Sequence, residues 1–333
     1  MKNLAFFIFG WGFIMLMSIF VNGIFPRALF VVGFITCMFF LSLNVEALKS
    51  IFRKYVWILS LLFLLSAIEY IIYIVSGKGI IVTAVTRVTE ARTTYFYHYL
   101  FNIITVHDVL YRFKGLCAEP GNMGTLCALM LFATWRIKTL RFPFYVFLVC
   151  GLMSLSLAYY IFLTIFLLTN VKPNIKNFVI GLLVFAAFIF VFRDFFEYRI
   201  VNRLTEVDDI EELDNRTTEI FDRYFYNAYD KGDLWLGVGS DNLPPQIYSS
   251  GEGGNAGAKK WIFQYGIIGL FIIFCIYMIL YCRIGNKRLN YYDWVFLFVY
   301  WAAFFKGLGL LSAYLFIIYL MMPIINKKET YIL

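Results

Sequence analysis

Residues able to do chemistry are sparse in this chain, and one stretch gathers them: Arg112-Phe113-Lys114-Gly115-Leu116-Cys117-Ala118-Glu119-Pro120-Gly121-Asn122-Met123-Gly124. An Arg, a Lys and a Glu stand beside a proline and three glycines where an apolar run begins, a costly place for charge unless it lines a wet cavity. Two readings follow. In one, the charges line such a cavity and are functional. In the other, Glu119 helps Pro120 to start a helix while Arg112 reaches for lipid headgroups.

Other chemistries are excluded by their missing patterns. There is no Walker A loop, no H-E-x-x-H and no G-x-S-x-G, and the two histidines, His98 and His107, share one hydrophilic stretch. Gly237-Val238-Gly239 lacks the third glycine of a dinucleotide site and reads as a tight turn. The acidic run from Asp208 to Asp214 lacks calcium-loop spacing and reads as a solvated face. The six cysteines form no C-x-x-C pair, so they make neither a disulfide framework nor a zinc site. Arg216 and Arg223 lie two turns apart, on one face of a helix capped by Asp214 and ended by Gly232. Ile220, Tyr224 and Ala228 are its expected apolar stripe.

The elements that must position these residues are membrane helices. Of 333 residues, 62% are apolar and 15% charged, whereas soluble domains carry about 25% charge. The formal charge is +8, but no water-facing basic domain is present to bind nucleic acid. Apolar runs fall at 4–21, 28–43, 55–75, 116–134, 143–169, 176–192, 261–281 and 291–325. The first, behind Lys2, has no A-x-A site before Pro26 and reads as a retained helix.

These runs predict an all-α polytopic integral membrane protein of about ten helices, because lipid leaves backbone groups no other partner. Lys49/Arg53/Lys54, Arg136/Lys138/Arg141, Arg283/Lys287/Arg288 and Lys327/Lys328 mark the cytoplasmic side. Parity then makes 143–169 a short hairpin bent near Ser154-Leu155-Ser156, and Phe305-Lys306-Gly307 splits the last run into two helices. One long tilted helix over 143–169 is the alternative; it would put 193–260 in the cytoplasm. The expected units are N-terminal helices over 1–192 with an outer loop at 76–114, a large periplasmic loop at 193–260, and C-terminal helices over 261–333. That large loop holds 14 of the 21 acids against eight bases, a net of −6, so the membrane part carries the positive charge. Glu69, inside an apolar run, is expected to pair with a loop arginine or to snorkel outward, with a place in a cavity as the alternative. Tyr95-Phe96-Tyr97-His98-Tyr99 reads as an interfacial aromatic belt.

The R-x-x-G-x-x-x-E-P-x-x-x-G pattern of Arg112 to Gly124 resembles the hallmark of bacterial O-antigen polymerases (the Wzy group) and of the wider polymerase and ligase superfamily. Leu236-Gly237-Val238-Gly239-Ser240-Asp241-Asn242 and Tyr265-Gly266-Ile267-Ile268-Gly269-Leu270 are similar to two further stretches of that superfamily, in the same order, and Ser154-Leu155-Ser156 to its Ser-x-Ser motif. The resemblance covers most of the chain by architecture and a few short segments by motif.

It implies a metal-independent, cofactor-free glycosyl transfer at the periplasmic face of the inner membrane, between undecaprenyl-pyrophosphate-linked oligosaccharides. A chain-length regulator is a candidate protein partner. A leaving pyrophosphate needs fixed cations, for which Arg112, Lys114, Arg216 and Arg223 are the candidates. The acceptor hydroxyl needs a base. Glu119 is preferred because it belongs to the better-matched motif, and Glu252 occupies the late-loop place where many related ligases carry a histidine. The missing histidine favours a polymerase over an O-antigen ligase. A lipid-linked oligosaccharide flippase is the alternative from another class, and it predicts intramembrane charge pairs and repeated halves.

Overall fold

The computed structural model describes residues 3–12, 28–76, 81–88, 93–105, 113–117, 119–170, 219–239, 257–285, 289–305 and 313–326. These are predominantly helical: α1 (Asn3–Gly12), α2 (Ala28–Ser42), α3 (Val45–Ser76), α4 (Pro120–Thr134), α5 (Arg141–Met153), α6 (Leu157–Asn170), α7 (Glu219–Asp230), α8 (Gly257–Gly285), α9 (Tyr291–Phe305) and α10 (Ala313–Ile325). Two of them, α3 with 32 residues and α8 with 29, are long and apolar enough to cross a membrane. At 1.5 Å per residue α3 spans about 48 Å, and the part of α8 beyond its break at Gly266 about 29 Å, against a hydrocarbon core of about 30 Å.

The segment expected as the first outer loop, 76–114, departs from the all-α expectation. Strands β1 (Ile81–Val88), β2 (Thr93–Tyr99) and β3 (Ile103–Thr105) form an antiparallel sheet in the order β1-β2-β3. Ile81 pairs with Tyr99 at one end of the first ladder, Val88 with Thr93 at the other, and Phe96 faces Thr105 in the second. The physical reason is composition: β1 is rich in Val and Thr and β2 in Thr and aromatic residues, which suit a pleated surface.

Two helices form the centre of the bundle. Residues 123–134 of α4 and 315–325 of α10 are buried throughout, as befits helices apolar all round. Gly124, Thr125, Cys127, Ala128 and Ala133 keep α4 slim enough for close neighbours. α10 packs against α2, α3, α4, α8 and α9, and the Tyr319 hydroxyl donates to Tyr277 O at 2.6 Å.

Residues 143–169 double back as expected. α5 ends at Met153, residues 154–156 turn with Leu155 at φ +48°, and α6 returns along α4 and α5. Phe166, late in α6, meets Phe132, Trp135 and Phe144. Gly151 leaves room for the Tyr159 ring, whose hydroxyl donates to Leu148 O at 2.9 Å. The last apolar run likewise forms two helices, α9 and α10, with Lys306 outside the described residues.

Basic residues gather at one end of the bundle. Trp57 of α3 stacks on Phe142 of α5 at 5.7 Å, one turn from Arg53 and next to Arg141. The Arg136 guanidinium lies 3.9 Å over Tyr292 and donates to Asn326 Oδ1. The starts of α3, α5 and α9 and the ends of α4, α8 and α10 therefore share this end.

Candidate functional site

The opposite end holds the segments that the sequence singled out. Phe113 is fully buried, edge-on to Tyr70 of α3 at 5.2 Å, and Lys114 is only 4% exposed. Gly115 adopts φ +50°, which favours glycine. Its carbonyl accepts the Ile103 N–H at 3.1 Å, and Cys117 N closes a turn onto Lys114 O at 2.9 Å. The Cys117 Sγ lies 3.8 Å from Met123 Sδ, and burial pushes its thiol up to about 11.

Glu119 is the N-cap of α4, in extended backbone, with Pro120 supplying a pre-set first helical position. Its carbonyl accepts Asn122 N and Met123 N, whereas its side chain is exposed and makes no capping hydrogen bond. The helix therefore starts at Pro120, four residues beyond the start of the apolar run.

Five residues into this segment, Gly124 presses on the α5–α6 bend. A Cβ there would fall 2.7 Å from Ser156 Cβ and 2.8 Å from Ser154 Oγ. Only glycine admits that approach, so the E-P-x-x-x-G and Ser-x-Ser segments are packed together. Ser154 Oγ itself donates to Gly151 O at 2.6 Å.

The other two segments form a second pair. α8 breaks at Gly266, with φ 70° and ψ 168°, a conformation essentially confined to glycine. A break removes i+4 donors from preceding carbonyls; Val238 N donates to Phe263 O at 2.7 Å. Gly237, at φ +85°, is so close that a Cβ would fall 2.5 Å from Gly266 N. At the start of α8, Trp261 stacks on Tyr265 and on Phe304 of α9, donating to Phe304 O at 3.2 Å.

α7 is seated on this second pair, though with a stripe one residue from the expected one. Phe221, Phe225 and Ala228 are buried with Leu234 and Phe263, while Tyr224 is 40% exposed. The Phe pair, at i and i+4 and with no hydroxyl to desolvate, takes the core face in place of the Tyr224 register. Gly232, at φ +76°, ends the helix as expected. Lys259 of α8 pairs with Asp222 at 3.0 Å.

Of the candidate site residues, Lys114 and Glu119 belong to the first pair and Arg223 lies exposed on α7, away from its Phe face. Arg112, Arg216 and Glu252 lie outside the described residues, as does Asp214. Glu69 meets two backbone amides and the Asn102 side chain rather than an arginine: it accepts Leu100 N at 3.1 Å, Phe101 N at 2.9 Å and Asn102 Nδ2 at 3.1 Å.

At the basic end lies a buried network that the sequence reading missed. Asp293 accepts from Tyr281 Oη at 3.0 Å, Asn326 Nδ2 at 2.8 Å and Asn290 N at 2.9 Å, and its own N–H donates to Asn290 Oδ1. Asn290 and Asp293 thus make a reciprocal capping box for α9. The Asn-x-x-Asp spacing ahead of an apolar run was the available signal. Comparisons with protein-family models, with curated proteins and with solved structures find no match for this chain.

Proposed function

We propose that the chain is a polytopic inner-membrane O-antigen polymerase, joining undecaprenyl-pyrophosphate-linked oligosaccharide repeats at the periplasmic face. The observation that carries the reading is the double pairing: the four segments that carry the resemblance meet two by two, Gly124 on Ser154/Ser156 and Gly237 on Gly266. Both pairs lie at the end of the bundle opposite the basic residues, the end that the positive-inside rule assigns to the periplasm.

Two spans and several shorter apolar helices support a membrane setting. α3 exposes Trp57, Ile58, Leu61, Leu65, Ile68 and Ile72, a large apolar face that suits lipid. Lys114 is a buried cation beside the start of α4, where helix N–H groups also favour an anion. With Arg112, Arg216 and Arg223 it would hold the pyrophosphate through cleavage of its glycosidic bond. Exposed Glu119 would take the proton of the acceptor hydroxyl as that oxygen attacks the anomeric carbon of the growing chain, and pyrophosphate-lipid leaves.

A deletion strain tests the reading. Surface lipopolysaccharide should carry a single repeat in place of a ladder. An unchanged ladder contradicts the proposal, and bare lipid A-core with accumulated lipid-linked polymer would indicate a ligase instead.

A further inference from the structure

Glu69 stands in the penultimate turn of α3, half-buried, and among the described residues the groups that meet its carboxyl oxygens are all donors. Oε1 takes Leu100 N at 3.1 Å, and Oε2 takes Phe101 N at 2.9 Å and Asn102 Nδ2 at 3.1 Å. Three residues earlier, Ser66 O accepts Asn102 Nδ2 at 2.5 Å, and Ser66 Oγ donates to Phe101 O at 2.6 Å. Asn102 is almost fully buried, at 1% exposure. Residues 100–102 are thereby fastened to α3.

That turn leads directly to the Arg112–Gly124 segment. Tyr99 N donates to Asn102 O at 2.7 Å, and Ile103 N, the next residue along, donates to Gly115 O at 3.1 Å. The same turns of α3 touch the segment themselves: Ser66 Oγ lies 3.4 Å from a Cβ built on Gly115, and Tyr70 rests on Phe113. An acid in an apolar helix is costly; three donors on an acceptor-only group offset that cost.

We infer that Glu69 is a positioning residue for residues 113–117, fixing where Lys114 stands by holding residues 100–102 on α3. Its consequence for catalysis rests on the proposed function; its consequence for the loop does not. A glutamine of the same shape keeps the packing but offers one acceptor oxygen, so it meets only part of the donor set. An alanine meets none.

The test uses the full chain in native membranes as wild type, Glu69→Gln and Glu69→Ala. Alkylation of Cys117 by N-ethylmaleimide, resolved from the other five cysteines by peptide mass spectrometry, reports whether the loop is seated. Steady-state polymerisation of the lipid-linked repeat reports catalysis. Cys117 should react fastest in the alanine variant, on the order of tenfold above wild type, with glutamine between. The kcat should fall in the same order, up to roughly 100-fold, while KM stays within about threefold.

Equal Cys117 rates at equal protein levels overturn the inference, and so does a glutamine variant that matches wild type in both readouts. If the alanine variant fails to accumulate, the glutamine variant alone decides. If the order of Cys117 rates holds but wild type polymerises nothing, the positioning role stands and the proposed function falls.

Discussion

Gly237 and Gly266 meet backbone to backbone, each at positive φ, +85° and +70°, with no room for a Cβ on either. Gly266→Ala should therefore combine strain of about 1–3 kcal/mol with a collision against Leu236. Gly232→Ala is the control: its φ is +76°, yet nothing lies within 4 Å of its added Cβ. The heat-denaturation midpoint in detergent should fall by roughly 5 °C or more for Gly266→Ala, and clearly less for Gly232→Ala. Equal shifts would show that backbone strain alone matters and that the close approach does not.

Gly124 and Ser156 offer a double-mutant cycle. Gly124→Ala forces α4 away from the α5–α6 bend, because its Cβ would fall 2.7 Å from Ser156 Cβ. Overpacking of this kind costs about 1–3 kcal/mol. Ser156→Gly removes the nearest atom, so adding it to Gly124→Ala should recover part of the lost stability, with a coupling of about 0.5 kcal/mol or more. Simple additivity of the two effects would mean that the helices do not touch there.

Asp293 joins three chain segments at the basic end. Asp293→Ala strands the donors of Tyr281, Asn326 and Asn290, a loss of about 3 kcal/mol. Asp293→Asn keeps one acceptor and should cost less. Since the network lies at the far end from Glu119, the proposed transferase activity, measured well below the melting temperature, should be retained in both variants. Assays at low temperature alongside melting curves separate the two effects.

Cys117 gives a pH test of the first pair. Its thiol is pushed from 9.0 up to about 11 by burial, so the reactive thiolate is scarce in the folded protein. Because the folded value is raised, the corresponding stability is present below pH 9 and is lost as pH rises from 9 towards 11. Alkylation should climb about tenfold per pH unit past 9, whereas the unfolded chain levels off near 9. A native profile that levels off near 9 would show Cys117 in water.

The sequence revealed these elements unevenly. Ser154-Leu155-Ser156 was legible as a bend because the apolar run is too short for two full spans, and Phe305-Lys306-Gly307 as a break because a charge and a glycine interrupt lipid-compatible helix. The sheet over 81–105 was not, since its pairing depends on Ile81 finding Tyr99 in the next strand, a choice with no helical period to betray it. α7 was found, but Phe221 and Phe225 outweigh Tyr224 for the core face. Glu69 was noticed as an anomaly, yet two of its three partners are backbone amides, which no residue type announces. The pairing of Gly124 with Ser156, and of Gly237 with Gly266, lies between segments far apart in the chain, and glycine spacing alone does not say which glycines will meet.

The central claim is tested most directly by incubating the purified chain in proteoliposomes with an undecaprenyl-pyrophosphate-linked repeat unit in the presence of EDTA. The account predicts a ladder of longer glycans with stoichiometric release of undecaprenyl pyrophosphate, and its loss in Arg112→Ala. Products that never exceed one repeat, from protein that is folded and correctly inserted, would contradict it.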